Sequence, residues 1–99
     1  GVQTCALPIS VDAVIALKEK GYIICAVEQA QNSVMLDKLV LDKNNKYALI
    51  LGNEVKGVQQ DVVDLCDCCV EIPQYGTKHS LNVSVAAGIV IWDFSRQLL

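Results

Sequence analysis

Hydrophobic positions along this chain switch between two periods, and each switch marks an element. Val11, Val14, Ile15 and Leu17 recur at helical spacing while Asp12, Lys18, Glu19 and Lys20 fall elsewhere, so residues 11–20 predict a helix. Gly21 then serves as the residue just past its end, where a left-handed backbone costs glycine nothing. Residues 22–27 (YIICAV) are β-rich with no polar alternation, as expected of a strand buried on both faces. Residues 28–32 (EQAQN) lie at that strand's C-terminal end, residues 33–41 read as a short turn or edge segment, and residues 42–46 (DKNNK) as a polar turn. A second buried strand over 47–51 runs into Gly52, and Gly57 opens a predicted helix with Val58, Val62, Leu65 and Cys66 on one face. Residues 69–72 read as a third strand, which Pro73 must stop because it has no N–H for the ladder. Residues 82–96 read as a last helix, apolar almost all round and therefore expected to be buried. The first ten residues (GVQTCALPIS) carry no charge and no clear period, and no element is predicted there.

Strand–helix alternation of this kind predicts an α/β fold with a mostly parallel sheet and flanking helices. Polar chemistry concentrates where strands end. In residues 71–87 (EIPQYGTKHSLNVSVAA) a strand becomes a polar loop holding the chain's one histidine, His79, and then a helix that Ser80 or Asn82 can cap. In open α/β sheets ligands bind outside the carboxyl ends of the strands.

Composition narrows the class. Ninety-nine residues with 53% hydrophobic content allow one domain with a real core. The longest apolar run, residues 83–92, falls short of the twenty or so residues a membrane span needs, so no membrane partner is expected. The five cysteines are expected to be free thiols of a cytoplasmic protein, since no secretory leader is apparent. Metal is not expected: Cys66, Cys68 and Cys69 fall in one run, and zinc sites take separated ligand pairs that the lone Cys25 and His79 do not supply. Cys66 and Cys69 read instead as small core residues.

SLNVSVAAG after an apolar strand, with LGNEVKGV some thirty residues earlier, resembles the two C-terminal motifs of the SpoU (TrmH) family of RNA ribose 2′-O-methyltransferases. The resemblance implies S-adenosyl-L-methionine as cofactor, tRNA or rRNA as substrate, a homodimer, and a C-terminal trefoil knot that general rules of topology would not predict. The last helix is the expected dimer contact because residues 83–94 offer more apolar faces than one domain can cover. It places Gly52, Ile72 and Leu81 at the cofactor, mostly through main-chain groups, and Glu54, Ser80 and Asn82 near the transferred methyl. An earlier family motif, Asn followed by Arg, supplies the base, and no such pair exists here. Residues 11–99 are accordingly expected to be the C-terminal part of the methyltransferase domain, inactive alone. Residues 1–9 look like a translated sequencing adapter, so residues 1–10 are read as a non-native leader. A net charge of −3 suits RNA poorly, because phosphate contacts supply most of the affinity, and the RNA-contacting part is expected elsewhere.

Each assignment has a plainer counterpart. Gly52 fits a tight strand-to-helix turn, Glu54 a solvated loop acid, Asn82 a simple N-cap, and His79 an exposed loop residue rather than a general base. The single arginine, Arg96, lies fourteen residues beyond Asn82, roughly 21 Å along one helix, and cannot serve as the base within one subunit. A non-catalytic α/β RNA- or nucleotide-binding module is the alternative function. A flavodoxin-like nucleotide-binding domain fits the alternation but leaves both motifs unexplained.

Overall fold

The computed structural model describes residues 10–30, 32–52, 57–73 and 84–99 with their side chains, and residues 2–5 and 83 as backbone. Five strands, β1 (Val2–Cys5), β2 (Tyr22–Val27), β3 (Val34–Met35), β4 (Lys46–Leu51) and β5 (Cys68–Glu71), form one sheet in the order β1-β4-β2-β5-β3. Every pairing is parallel. The helices are α1 (Val11–Glu19), α2 (Gln60–Val63) and α3 (Val83–Leu98), with a 3-10 turn at Leu36–Lys38.

β2 is the centre of the sheet. It pairs with β4 from Tyr22↔Lys46 to Val27↔Leu51 and, on its other side, with β5 from Cys25↔Cys68 to Val27↔Val70. Alternate residues of such a strand face opposite sides, and both sides are dry. Ile24, Ala26, Ala48 and Ile50 meet Val14 of α1 with Val58 and Val62, while Cys25, Tyr47, Leu49 and Val70 meet Leu36 and the α3 residues Val90 and Phe94. Two helices therefore cover one face and α3 the other. The Phe94 ring meets Tyr47 edge-on, 5.8 Å between centroids and 89° between planes, a favoured aromatic geometry.

Polar groups tie the layers together. Ser10 Oγ caps α1 by accepting from Ala13 N at 3.2 Å. Asp67 accepts from Ile24 N at 2.7 Å and donates its own N–H to Ile24 O, fixing where β5 begins beside β2. Gln97 receives Leu41 N at 2.9 Å and donates to Leu39 O at 3.1 Å, strapping the 39–41 segment across α3.

Four expectations need correction. Residues 1–10 do contain an element, since Val2–Cys5 pairs with β4; main-chain pairing of this kind needs no particular side chains. The segment after Gly57 is not helical until Gln60, because Gly57 has φ +67° and Gln59 is extended, both incompatible with a helical turn. β5 begins one residue early at Cys68 and ends at Glu71, leaving Ile72 just beyond it. The last helix is not buried all round: Val85, Ile89 and Trp92 are 51%, 39% and 67% exposed. A sheet can cover only one side of a helix, and Ala86, Val90 and Phe94 occupy that side. Among the described residues, no helix is long and apolar enough to cross a membrane.

Phe94 is fully buried, so Phe94→Ala is expected to cost about 3–5 kcal/mol in chemical denaturation. A loss under about 1 kcal/mol would mean α3 does not dock on this face.

Candidate functional site

Because all five strands run the same way, their C-terminal ends lie along one edge. Gly52 follows β4, Glu28 follows β2, and Ile72 follows β5. Since β2 separates β4 from β5, Gly52 and Ile72 flank Glu28 at two strand spacings, roughly 10 Å apart. The edge thus brings together two of the residues placed at the cofactor. Leu81, Glu54, Ser80, Asn82 and His79 lie outside the described residues.

Gly52 is buried, and its lack of a side chain has a cause inside the chain. A Cβ there would overlap the carbonyl carbon of Gly57 and the amide nitrogen of Val58, with Gly57 Cα at 2.8 Å. The two ends of the LGNEVKG motif therefore touch, backbone against backbone. Gly57, left-handed at φ +67°, makes the turn that brings Val58 back. The amide of Val58 points to Glu28, whose Oε2 accepts it at 2.7 Å, while Oε1 accepts from Gln29 N at 3.2 Å. Glu28 N in turn donates to Val70 O at 3.1 Å, continuing the ladder to β5.

Glu28 is a residue the sequence reading passed over as one polar position in EQAQN. Its signal was an acid at the C-terminal end of the central buried strand, thirty residues before an unpaired amide that only the fold reveals. On the far side of β5, Ser33 Oγ donates to Glu71 Oε2 at 2.8 Å, anchoring the β2–β3 connection to the strand that delivers Ile72. Ile72 and Pro73 are half-buried beyond the last ladder pair.

Two other candidate groups are already engaged. Arg96 pairs with the buried Asp93 at 2.7 Å and lies over the Trp92 ring at 5.5 Å. Cys25 and Cys68, partners across β2 and β5, bring their sulfurs to 2.7 Å. The hydrogen bond with Cys68 and burial push the Cys25 thiol up, and burial pushes Cys66 up to about 11, so both stay thiols at neutral pH. Among the described residues no group of three His, Cys, Asp or Glu side chains could hold a metal ion.

Gly52→Ala is expected to destabilise the chain by about 1–3 kcal/mol in denaturant titration with no ligand present, because its methyl must displace the Gly57–Val58 backbone. Unchanged stability would show that the motif does not close on itself.

Comparison with known proteins gives this edge its context. Residues 2–92 match the SpoU rRNA Methylase family. The chain is 40% identical over 82 residues to the tRNA (guanosine(18)-2′-O)-methyltransferase TARBP1 of Mus musculus, covering 83% of this chain and 5% of that protein. It is 36% identical over 87 residues to the tRNA (guanosine(18)-2′-O)-methyltransferase of Aquifex aeolicus, covering 88% of this chain and 40% of that protein. It therefore spans less than half the length of these relatives. Its fold matches the crystal structure of the A. aeolicus TrmH/SpoU tRNA modifying enzyme with TM-score 0.76 at 36% identity, over 88% of this chain and 43% of that one. It also matches the AdoMet-bound rRNA methyltransferase of Sinorhizobium meliloti with TM-score 0.78 at 28% identity, over 89% of this chain and 33% of that one. The parallel edge, the self-closing LGNEVKG segment and the family match agree, and the chain belongs to the SpoU rRNA Methylase family.

Proposed function

We propose that this chain is the cofactor-binding, C-terminal part of an S-adenosylmethionine-dependent methyltransferase that methylates a ribose 2′-hydroxyl of tRNA or rRNA. The observation that carries the proposal is the convergence of Gly52 and Ile72 on one parallel edge of a SpoU-family chain. The residues there fit an adenosyl group. Half-buried Ile72 and Pro73 offer apolar surface beside peptide groups beyond the last ladder pair, which suits a flat ring with a hydrogen-bonding rim. Gly52, Ile72 and Leu81 would hold the cofactor, and Glu54, Ser80 and Asn82 would border the reacting centre. When bound, the cofactor would supply an electrophilic methyl on its sulfonium for the ribose oxygen, with S-adenosylhomocysteine as the leaving group and the hydroxyl proton going to a base.

This chain's share of the work is binding and orientation, worth several kcal/mol of a barrier when the reacting atoms are held in line. Proton removal needs another group. Arg96 is committed to Asp93 and Trp92, and the base is assigned to the family's Asn-Arg motif, a pair that does not occur in this sequence. Residues 1–10 as a foreign leader, a C-terminal trefoil knot and a cytoplasmic location form part of the same proposal.

Calorimetry with S-adenosylhomocysteine is expected to give saturable binding at one site per chain, with no transfer of labelled methyl from S-adenosylmethionine to bulk tRNA or rRNA. Absence of binding would contradict the cofactor reading. Turnover by the chain alone would show that the base is misassigned, with His79 the first residue to test. If a longer form carrying the upstream sequence binds cofactor and RNA without turnover, the non-catalytic binding module becomes the better reading.

Dimerisation through α3 also belongs to the proposal. Val85, Ile89 and Trp92 recur at helical spacing on its outer side, an apolar stripe of the kind that marks interfaces. Sedimentation is expected to show a dimer that Trp92→Asp dissociates. A stable monomer at high concentration would contradict it.

A further inference from the structure

We infer that Glu28 is a positioning residue for the cofactor site: its carboxylate holds the Gly57–Val58 backbone against Gly52, at the edge that also carries Ile72. What binds at that edge rests on the function proposed above; the clamp itself does not.

The inference follows from where hydrogen bonds go. Val58 is buried and lies before α2, so no helix accepts its N–H, and a buried amide without a partner is strongly disfavoured. Glu28 Oε2 is that partner, at 2.7 Å, and a bond to a charged acceptor is among the stronger kinds. Gly57 leaves room for the carboxylate: a Cβ on it would overlap Oε2 and stand 3.2 Å from Glu28 Cδ. The next contact in line is Gly52, whose Cα faces the Gly57 carbonyl carbon and the Val58 nitrogen. The main chain of Glu28 is anchored, because its own N–H is laddered to Val70 O of β5, the strand that runs on to Ile72. A continuous path thus runs from the Ile72 strand through Glu28 and Val58 to Gly52. Loss of the carboxylate would free the Gly57–Val58 segment to move away from Gly52 and disturb the main chain that the proposed cofactor would meet.

Glu28→Ala and Glu28→Gln separate this from a general loss of stability. Glutamine keeps one oxygen that can accept from Val58, whereas alanine leaves the amide unpaired. Two quantities are read on the 99-residue chain: amide hydrogen exchange at Val58, with Ile24 and Leu49 as core references, and S-adenosylhomocysteine affinity by calorimetry. In Glu28→Ala, Val58 exchange is expected to rise and affinity to fall, each about tenfold or more, with the core references unchanged. Glu28→Gln is expected to restore both. Unchanged Val58 exchange in Glu28→Ala overturns the clamp, and faster exchange with unaltered affinity overturns its role at the site. If the wild-type chain binds no S-adenosylhomocysteine, the proposed function fails, while Val58 exchange still decides whether Glu28 holds the segment.

Discussion

The parallel pairing of β2 with both β4 and β5 is the constraint on which the remaining structure depends. A strand hydrogen-bonded on both sides has no free edge, and its alternate side chains must find cover above and below. Ile24 and Ala26 find it under α1 and α2, Cys25 under α3, which makes two cores from one sheet. The same parallel sense sends every connection back across the sheet and leaves every carboxyl end on one edge. The site is thus a by-product of the topology. Gly52, Glu28 and Ile72 are neighbours because their strands are, although the sequence separates them by tens of residues.

A glycine at a strand end invites a ligand explanation, and here the structure supplies a different one. The space a Cβ of Gly52 would need is taken by the backbone of Gly57 and Val58. The glycine is demanded by the motif's own closure, and any ligand contact comes in addition. Gly57 is constrained from two sides as well, by its positive φ and by the Glu28 carboxylate. Both glycines of LGNEVKG are therefore accounted for by main-chain geometry. On the proposed function, such a motif would recognise its ligand by where it puts peptide groups, and it shares no fingerprint with Gly-rich dinucleotide loops.

Much of the fold was legible in the hydrophobic pattern. Tyr22–Val27 was assigned to the residue, and α1 and β4 to within one, because uninterrupted β-rich runs bounded by Gly21 and DKNNK have few other readings. The misreadings have identifiable causes. Periodicity at Val58, Val62 and Leu65 suggested a helix from Gly57, but a left-handed glycine and an extended Gln59 delay it to Gln60. β1 carries no period, since an edge strand can be held by main-chain bonds alone. The outer side of α3 looks like core in sequence because the exposed apolar residues Val85, Ile89 and Trp92 and those packed on the sheet have the same hydrophobicity. Of the candidate site, the family resemblance named Gly52 and Ile72, which the fold brings to one edge, but Glu28 was invisible: its partner, the Val58 amide, is thirty residues away and is a backbone group that every residue but proline possesses.

Backbone amide shifts followed by NMR while S-adenosylhomocysteine is titrated in would test most directly whether the carboxyl edge of the sheet is the cofactor site. The largest changes should fall on Glu28, Gln29, Gly52, Val58 and Ile72, which line the ends of β2, β4 and β5. Changes confined to the opposite edge, at Gly21, Lys46 and Asp67, or to the outer side of α3 would contradict the placement.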